Sequence, residues 1–276
     1  MEQGIHEHTD DSVIPPYGSI AGATQSGHPF SYLKVGRATD LVGRDYVIYR
    51  ILEALPAFLA WVTLLGVFLL SIFLPVYASY FIIAFAFYWL LKTVYLSIHL
   101  RHNWRRLKHN IKRDWQGDLA KMPYDHVHHL VLLPFYKESI IIVEAGLKAL
   151  VSSSYRKDRM HIVLAREERG GAEAEEVSKI LHERYAHHFA SFLEAKHPAT
   201  IPGEMAGKGS NIAWAVEKAR TLVLDAKNIS YDDVLVSAFD VDTVIFPQYF
   251  ECLTWHYLTA PNPARTSCPP VPVFHN

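Results

Sequence analysis

From Ala54 to Leu91, 38 consecutive residues carry no charged side chain. As helix, at about 1.5 Å per residue, such a run would be roughly 57 Å long. One bilayer crossing needs about 30 Å, so the run is too long for one span and suits two. Pro75, in "IFLPVYAS", falls where the chain must turn. Lys92 can then snorkel to the interface while the second helix continues to about Ile98. A buried helical hairpin of a water-soluble domain would usually carry a polar stripe, and this segment is apolar all round. The run therefore predicts a two-helix transmembrane hairpin.

The flanks set its orientation. Lys34, Arg37, Arg44 and Arg50 precede the hairpin, and Arg101, Arg105, Arg106, Lys108, Lys112 and Arg113 follow it, whereas the turn between has no Lys or Arg. The positive-inside rule then puts both termini, and any domain attached to them, on the cytoplasmic side of the cell membrane. The first twelve residues, "MEQGIHEHTDDS", are acidic and polar and are no secretory leader. Residues 1–33 read as a disordered tail, and 34–98 as the membrane-flanking segment with the hairpin. Within 99–124, Leu100, Trp104, Leu107, Ile111 and Trp115 recur at helical spacing, with Arg101, Arg105, Lys108 and Lys112 opposite. That pattern suits an amphipathic linker helix in the membrane interface, although a helix docked on the following domain would read alike.

From residue 125 to 276 short apolar runs alternate with amphipathic stretches. "HHLVLLPF", "MHIVLA" and "DDVLVSAF" read as strands; "ESIIIVEAGLKALVSSS", "AEAEEVSKILHERYAHHFASFLEA", "GSNIAWAVEKARTLVLDA" and "FPQYFECLTWHYL" read as helices. The alternation predicts an α/β layer with a mostly parallel sheet and flanking helices. In such sheets ligands gather beyond the carboxyl ends of the strands, here "PFYKES", "REERGG" and "DVDT". The last is the sharpest signal. Strand alternation would aim Asp240 and Asp242 at one face, where they repel unless a cation such as Mg²⁺ or Mn²⁺ is shared between them and a substrate phosphate.

"LLPFYKES", "HIVLAREERGG", "AGKGSNIAWAVEKA" and "VLVSAFDVDT", in that order, resemble the N-terminal motifs of family 2 glycosyltransferases with a GT-A fold, over roughly residues 125–260. The resemblance implies a Rossmann-like GT-A sheet and transfer of a sugar from a nucleoside-diphosphate donor to a polysaccharide, lipid or other envelope acceptor, with inversion. It implies that Pro134, Tyr136 and Glu138 frame the nucleotide pocket. Glu167 or Glu168 would stand where the family has a base-reading Asp, a departure from its usual Asp-Asp-Gly. Lys208 would lie near the diphosphate or sugar, Asn211 would support the loop, Asp240 would contact ribose or metal, and Asp242 would be the main metal ligand. The family's catalytic base and its Gln-x-x-Arg-Trp motif follow the Asp-x-Asp at a distance, and neither is found here: no acidic residue follows Glu251. The expectation is an N-terminal part of a longer enzyme, which sequence beyond Asn276 would test.

Other readings compete. A nucleotidyltransferase acting on a sugar phosphate would use the same residue types, and a catalytically silent nucleotide-binding membrane protein would need no base. "GEMAGKGSN" fails the phosphate-loop pattern in its spacing and in having Gly209 where Ser or Thr would hold Mg²⁺. The histidines of "YDHVHHL" and "HERYAHHF" lack metal-ligand spacing and read as solvated or hydrogen-bonded. Cys252 and Cys268 read as free thiols. A net charge of −1 argues neither for nor against nucleic acid, and no nucleic-acid partner is expected.

Overall fold

A computed structural model describes residues 40–268; the expected tail 1–33, Lys34, Arg37 and the last eight residues lie outside that range. Two long helices come first, α1 (Arg44–Phe73) and α2 (Pro75–Lys112). Leu74 breaks the helical path between them, and Pro75 opens α2, where its missing N–H and fixed φ are no handicap. Both are long and apolar enough to cross a membrane. No residue of α1 is buried, and in α2 only Ala78 is. So large an exposed apolar surface is unfavourable in water and suits association with a membrane. The serine and threonine hydroxyls along it, on Thr63, Ser71, Ser79, Thr93 and Ser97, donate to carbonyls one turn back, which removes their need for water.

The boundary expected at residues 98–99 is not a break. No Gly or Pro interrupts residues 99–112, so α2 runs on to Lys112, and the path first bends at Arg113. Leu100, Trp104 and Ile111 are exposed on this continuous helix. Trp115 instead starts the short α3 (Trp115–Leu119), capped by Asp114, and is buried against Trp255 and His256, each ring centre 5.4 Å away. Its backbone N–H donates to Gln248 (2.7 Å), and Arg113 lies over both tryptophan rings. Docking on the following domain is thus the correct reading for Trp115.

Four parallel strands follow: β1 (His128–Phe135), β2 (Met160–Glu167), β3 (Ser191–His197) and β4 (Val234–Ala238), in the order β3-β2-β1-β4. Every residue of β1 and β2 is buried, as expected of central parallel strands covered on both faces. Four further helices cover them: α4 (Ile140–Ser152), α5 (Gly171–Tyr185), α6 (Lys208–Ala219) and α7 (Tyr249–Thr259). Val131, Leu133, Ile162 and Leu164 face α4, α5 and α7, while Leu130, Leu132, Val163 and Ala195 face α6.

Two expectations need correction. The long helix over residues 172–195 ends at Tyr185, and "SFLEAKH" is a strand in register with β2 from His161↔Ser191 to Glu167↔His197. The open edge of β2 offers that segment a full set of backbone partners. The Asp-x-Asp pair, in turn, is not on the strand. The β4 ladder closes with Phe239 N–H donating to Leu132 O (3.1 Å), and the carboxylates occupy the turn beyond, closed by Thr243 N–H on Asp240 O (2.8 Å).

Candidate functional site

The strand order places the site. From β1 the chain steps outward through β2 and β3, then returns to lay β4 on the other side of β1. The crevice between the carboxyl ends of β1 and β4 is therefore the topological switch point, where ligands of open α/β sheets bind. A cleft of about 310 Å³ opens there, and Pro134, Tyr136, Glu138, Glu167, Lys208, Asn211, Asp240 and Asp242 all line it.

Val241 anchors the Asp-x-Asp turn. Its side chain is buried in the core while Asp240 and Asp242 on either side are exposed, and both line the cleft. They are not buried, so their mutual repulsion is screened by solvent. Lys208, the first residue of α6, forms an ion pair with Asp240. Both side chains are more than half exposed, so the pair is weak and open to exchange with a ligand. Asp242 has no ion pair among the described residues.

Asn211 lies one turn along α6 and is 1 % exposed. Its Nδ2 donates to Ala165 O (2.9 Å), which ties α6 to the end of β2. Its Oδ1 has no hydrogen-bond partner among the described residues. A buried acceptor left open on a cleft wall costs stability unless water or a ligand donates to it.

Glu167 reaches the cleft and is held by Arg169, whose guanidinium also lies 5.7 Å from the Tyr136 ring centre. Arg169, missed in the sequence reading, thus joins a carboxylate and an aromatic face. Glu168 points elsewhere: it pairs with Lys196 (2.5 Å) and accepts from Ala199 N–H (2.9 Å). The Lys196 ammonium, then the Ala199 amide, hold its carboxyl below the ordinary range. Of the two glutamates, only Glu167 lines the cleft. Glu138 accepts from the N–H groups of Tyr136 (2.6 Å) and Lys137 (3.0 Å), which curls the loop after β1 into the cleft wall.

Two glycines permit this packing. A Cβ on Gly146 of α4 would stand 3.0 Å from Val241 O, so the Asp-x-Asp turn rests directly on that helix. A Cβ on Gly170 would stand 2.3 Å from Tyr136 O, where the turn after β2 crosses the loop after β1. Gly170 has an ordinary φ of −67°, so the demand there is for space alone. Gly170→Ala is expected to push the two loops apart, lower stability by about 1–3 kcal/mol and loosen the cleft. Thermal unfolding in detergent measures the first effect, and an unchanged midpoint would remove the crossing from the account.

The protein offers a cation two carboxylates, Asp240 and Asp242, and no group of three or more His, Cys, Asp or Glu suited to a metal occurs among the described residues. Two exposed carboxylates on one turn fit an ion of the Mg²⁺ kind, which binds through one or two carboxylates and leaves its other positions to water and phosphate. Comparison of the chain with protein-family models, with curated proteins and with solved structures found no match.

Proposed function

We propose that this chain is a membrane-anchored glycosyltransferase with a GT-A-like domain that takes a sugar from a nucleoside-diphosphate donor to a polysaccharide or lipid acceptor, with inversion. The observation that carries the reading is the cleft at the switch point. It joins a helix-terminal lysine, two outward carboxylates and a buried, open amide oxygen in one hollow. The membrane hairpin leads into the same domain, and Gln248, which accepts from Trp115 N–H at the hairpin's exit, follows shortly after the Asp-x-Asp turn in the chain.

In this reading the donor's diphosphate lies against the first turn of α6. Lys208 exchanges Asp240 for a phosphate oxygen, and the helix amides there favour the same charge. Asp242 and Asp240 would hold a Mg²⁺ or Mn²⁺ ion, which would supply positive charge to the leaving diphosphate. The Tyr136 face, flanked by Lys137 and Arg169, is a platform for the nucleobase. Glu167 and the Asn211 Oδ1 accept its N–H or the ribose O–H. Glu138 and Glu167 are engaged by backbone amides and Arg169, and the two aspartates by the ion. The base that deprotonates the acceptor is therefore a group other than these four.

The hairpin then passes twice through the cell membrane, with the catalytic domain cytoplasmic, because basic residues cluster at the ends of α1 and α2 away from Pro75. The test is the full chain in lipid vesicles with labelled nucleotide sugars and Mn²⁺. Binding that needs the ion, with sugar transfer or slow donor hydrolysis, is expected. Release of pyrophosphate from a nucleoside triphosphate and a sugar phosphate would replace this reading with a nucleotidyltransferase. Absence of any nucleotide-sugar binding would end it.

A further inference from the structure

The continuity of α2 gives its basic end a definite place. Between Lys92 and Arg113 there is no acidic residue. Arg101, Arg105, Lys108 and Lys112 fall within about 60° of one another around the helix axis. These four and Arg106 are exposed, and none forms an ion pair with a described residue. Arg113 is different, being held by Asp118 (2.8 Å) and the two tryptophans.

Counting from Pro75, about 20 residues span the hydrocarbon, which puts the near boundary close to Tyr95. Arg101 then lies roughly 9 Å beyond it, Arg105 and Arg106 roughly 15–17 Å, and Lys112 roughly 26 Å. The headgroup layer is about 5–7 Å deep, and charges are screened over about 8 Å. Arg101 is therefore beside the headgroups, Arg105 and Arg106 are within reach of their field, and Lys112 is nearly outside it.

We propose that the Arg101–Arg106 segment of α2 is a contact surface for anionic phospholipid headgroups, so that this end of the hairpin selects an anionic leaflet. The inference rests on α1 and α2 spanning the bilayer. Acidic protein partners would find the same charges, but the first of them sit at headgroup depth by the continuity of the helix, and lipid is there already. A basic residue near an anionic surface favours it by roughly five-fold.

The experiment uses the full chain in vesicles of zwitterionic lipid with about one-fifth phosphatidylglycerol, with spin-labelled phosphatidylglycerol and phosphatidylcholine compared as probes. Carbonate extraction first establishes insertion; a chain that washes off would sink the spanning reading itself. For inserted protein the expected result is at least a ten-fold preference for the anionic probe at low salt, lost at 0.5 M NaCl. The preference should vanish in R101Q/R105Q/R106Q and change little in K108Q/K112Q, with helicity by circular dichroism unchanged in both. Undiminished selectivity in the triple variant would overturn the inference. So would equal displacement of the probe by inorganic pyrophosphate at matched ionic strength, which would identify a soluble phosphate ligand instead.

Discussion

Asp242→Asn is expected to weaken Mn²⁺-dependent binding of a nucleoside-diphosphate sugar about ten-fold or more, and to lower turnover by roughly 10²–10³. The substitution keeps the side chain's size and removes only its charge. Asp242 is exposed and has no ion pair among the described residues, so the fold loses nothing by the change. The sign should reverse when the cation is removed. With EDTA the wild-type carboxylate repels the diphosphate, and Asp242→Asn should bind the donor as well as or slightly better than wild type. Calorimetry with and without Mn²⁺ reads both arms. An equal ratio in the two conditions would exclude Asp242 from an ion site. Asp240→Asn is a poorer probe, because it also frees Lys208 from its partner.

The strands of this sheet were legible where burial on both faces leaves an unbroken apolar run, and "HHLVLLPF" coincides with β1 over its whole length. β3 was hidden for the opposite reason. Glu194 and Lys196 break the apolar run in "SFLEAKH", and the partner that makes it a strand, the edge of β2, is remote in sequence. Likewise the uncharged hairpin announced its length but not its exit. Whether Trp115 lies in lipid or on α7 depends on an aromatic partner 140 positions away, Trp255. The candidate site was readable as three strand ends and a Gly-Lys-Gly stretch, because switch-point geometry gathers those segments whatever their detail. What could not be read was the choice between neighbours. Glu168 leaves the cleft because Lys196 and the Ala199 amide, both on or after the unrecognised β3, take its carboxylate. Nor do glycines 146 and 170 state in one dimension which backbone will press on them.

Acid is expected to destabilise the domain from pH 6.5 downward, before its carboxylates titrate, because three histidines at the amino ends of β1 and β2 are built in as neutral groups. Arginine can only donate, so Arg159 Nη1 donates to His128 Nε2 (2.8 Å). His128 must then carry its proton on Nδ1 and donate to His161 Nε2 (2.9 Å), and His161 Nδ1–H donates to Ser191 Oγ (2.7 Å). His129 donates from Nε2 to Thr254 Oγ1 (2.8 Å), whose own proton goes to Phe250 O, and its Nδ1 is buried without a partner. A proton added to His128 would face Arg159, and one added to His161 would face the His128 N–H. Burial first, then these neighbouring charges, lowers all three, His161 to about 4 and His129 to about 3. Folded values below the ordinary 6.5 mean that the unfolded chain binds the extra protons. The stability is therefore complete above pH 6.5 and is lost as pH falls through the window toward 4, at up to about 1.4 kcal/mol per histidine per pH unit. Glu251 opposes this in part: burial raises its carboxyl, so its contribution improves on acidification. One such group offsets only part of the loss, and His129 and His161, the two rings lowered furthest, should together cost about a few kcal/mol over two pH units. Denaturant unfolding of the full chain in detergent between pH 7.5 and 4.5 reads the slope. His128→Gln can accept from Arg159 and donate to His161 without titrating, and should make that slope shallower. A wild-type stability flat across the window, or a slope unaltered by the glutamine, would show that these rings take up protons without strain.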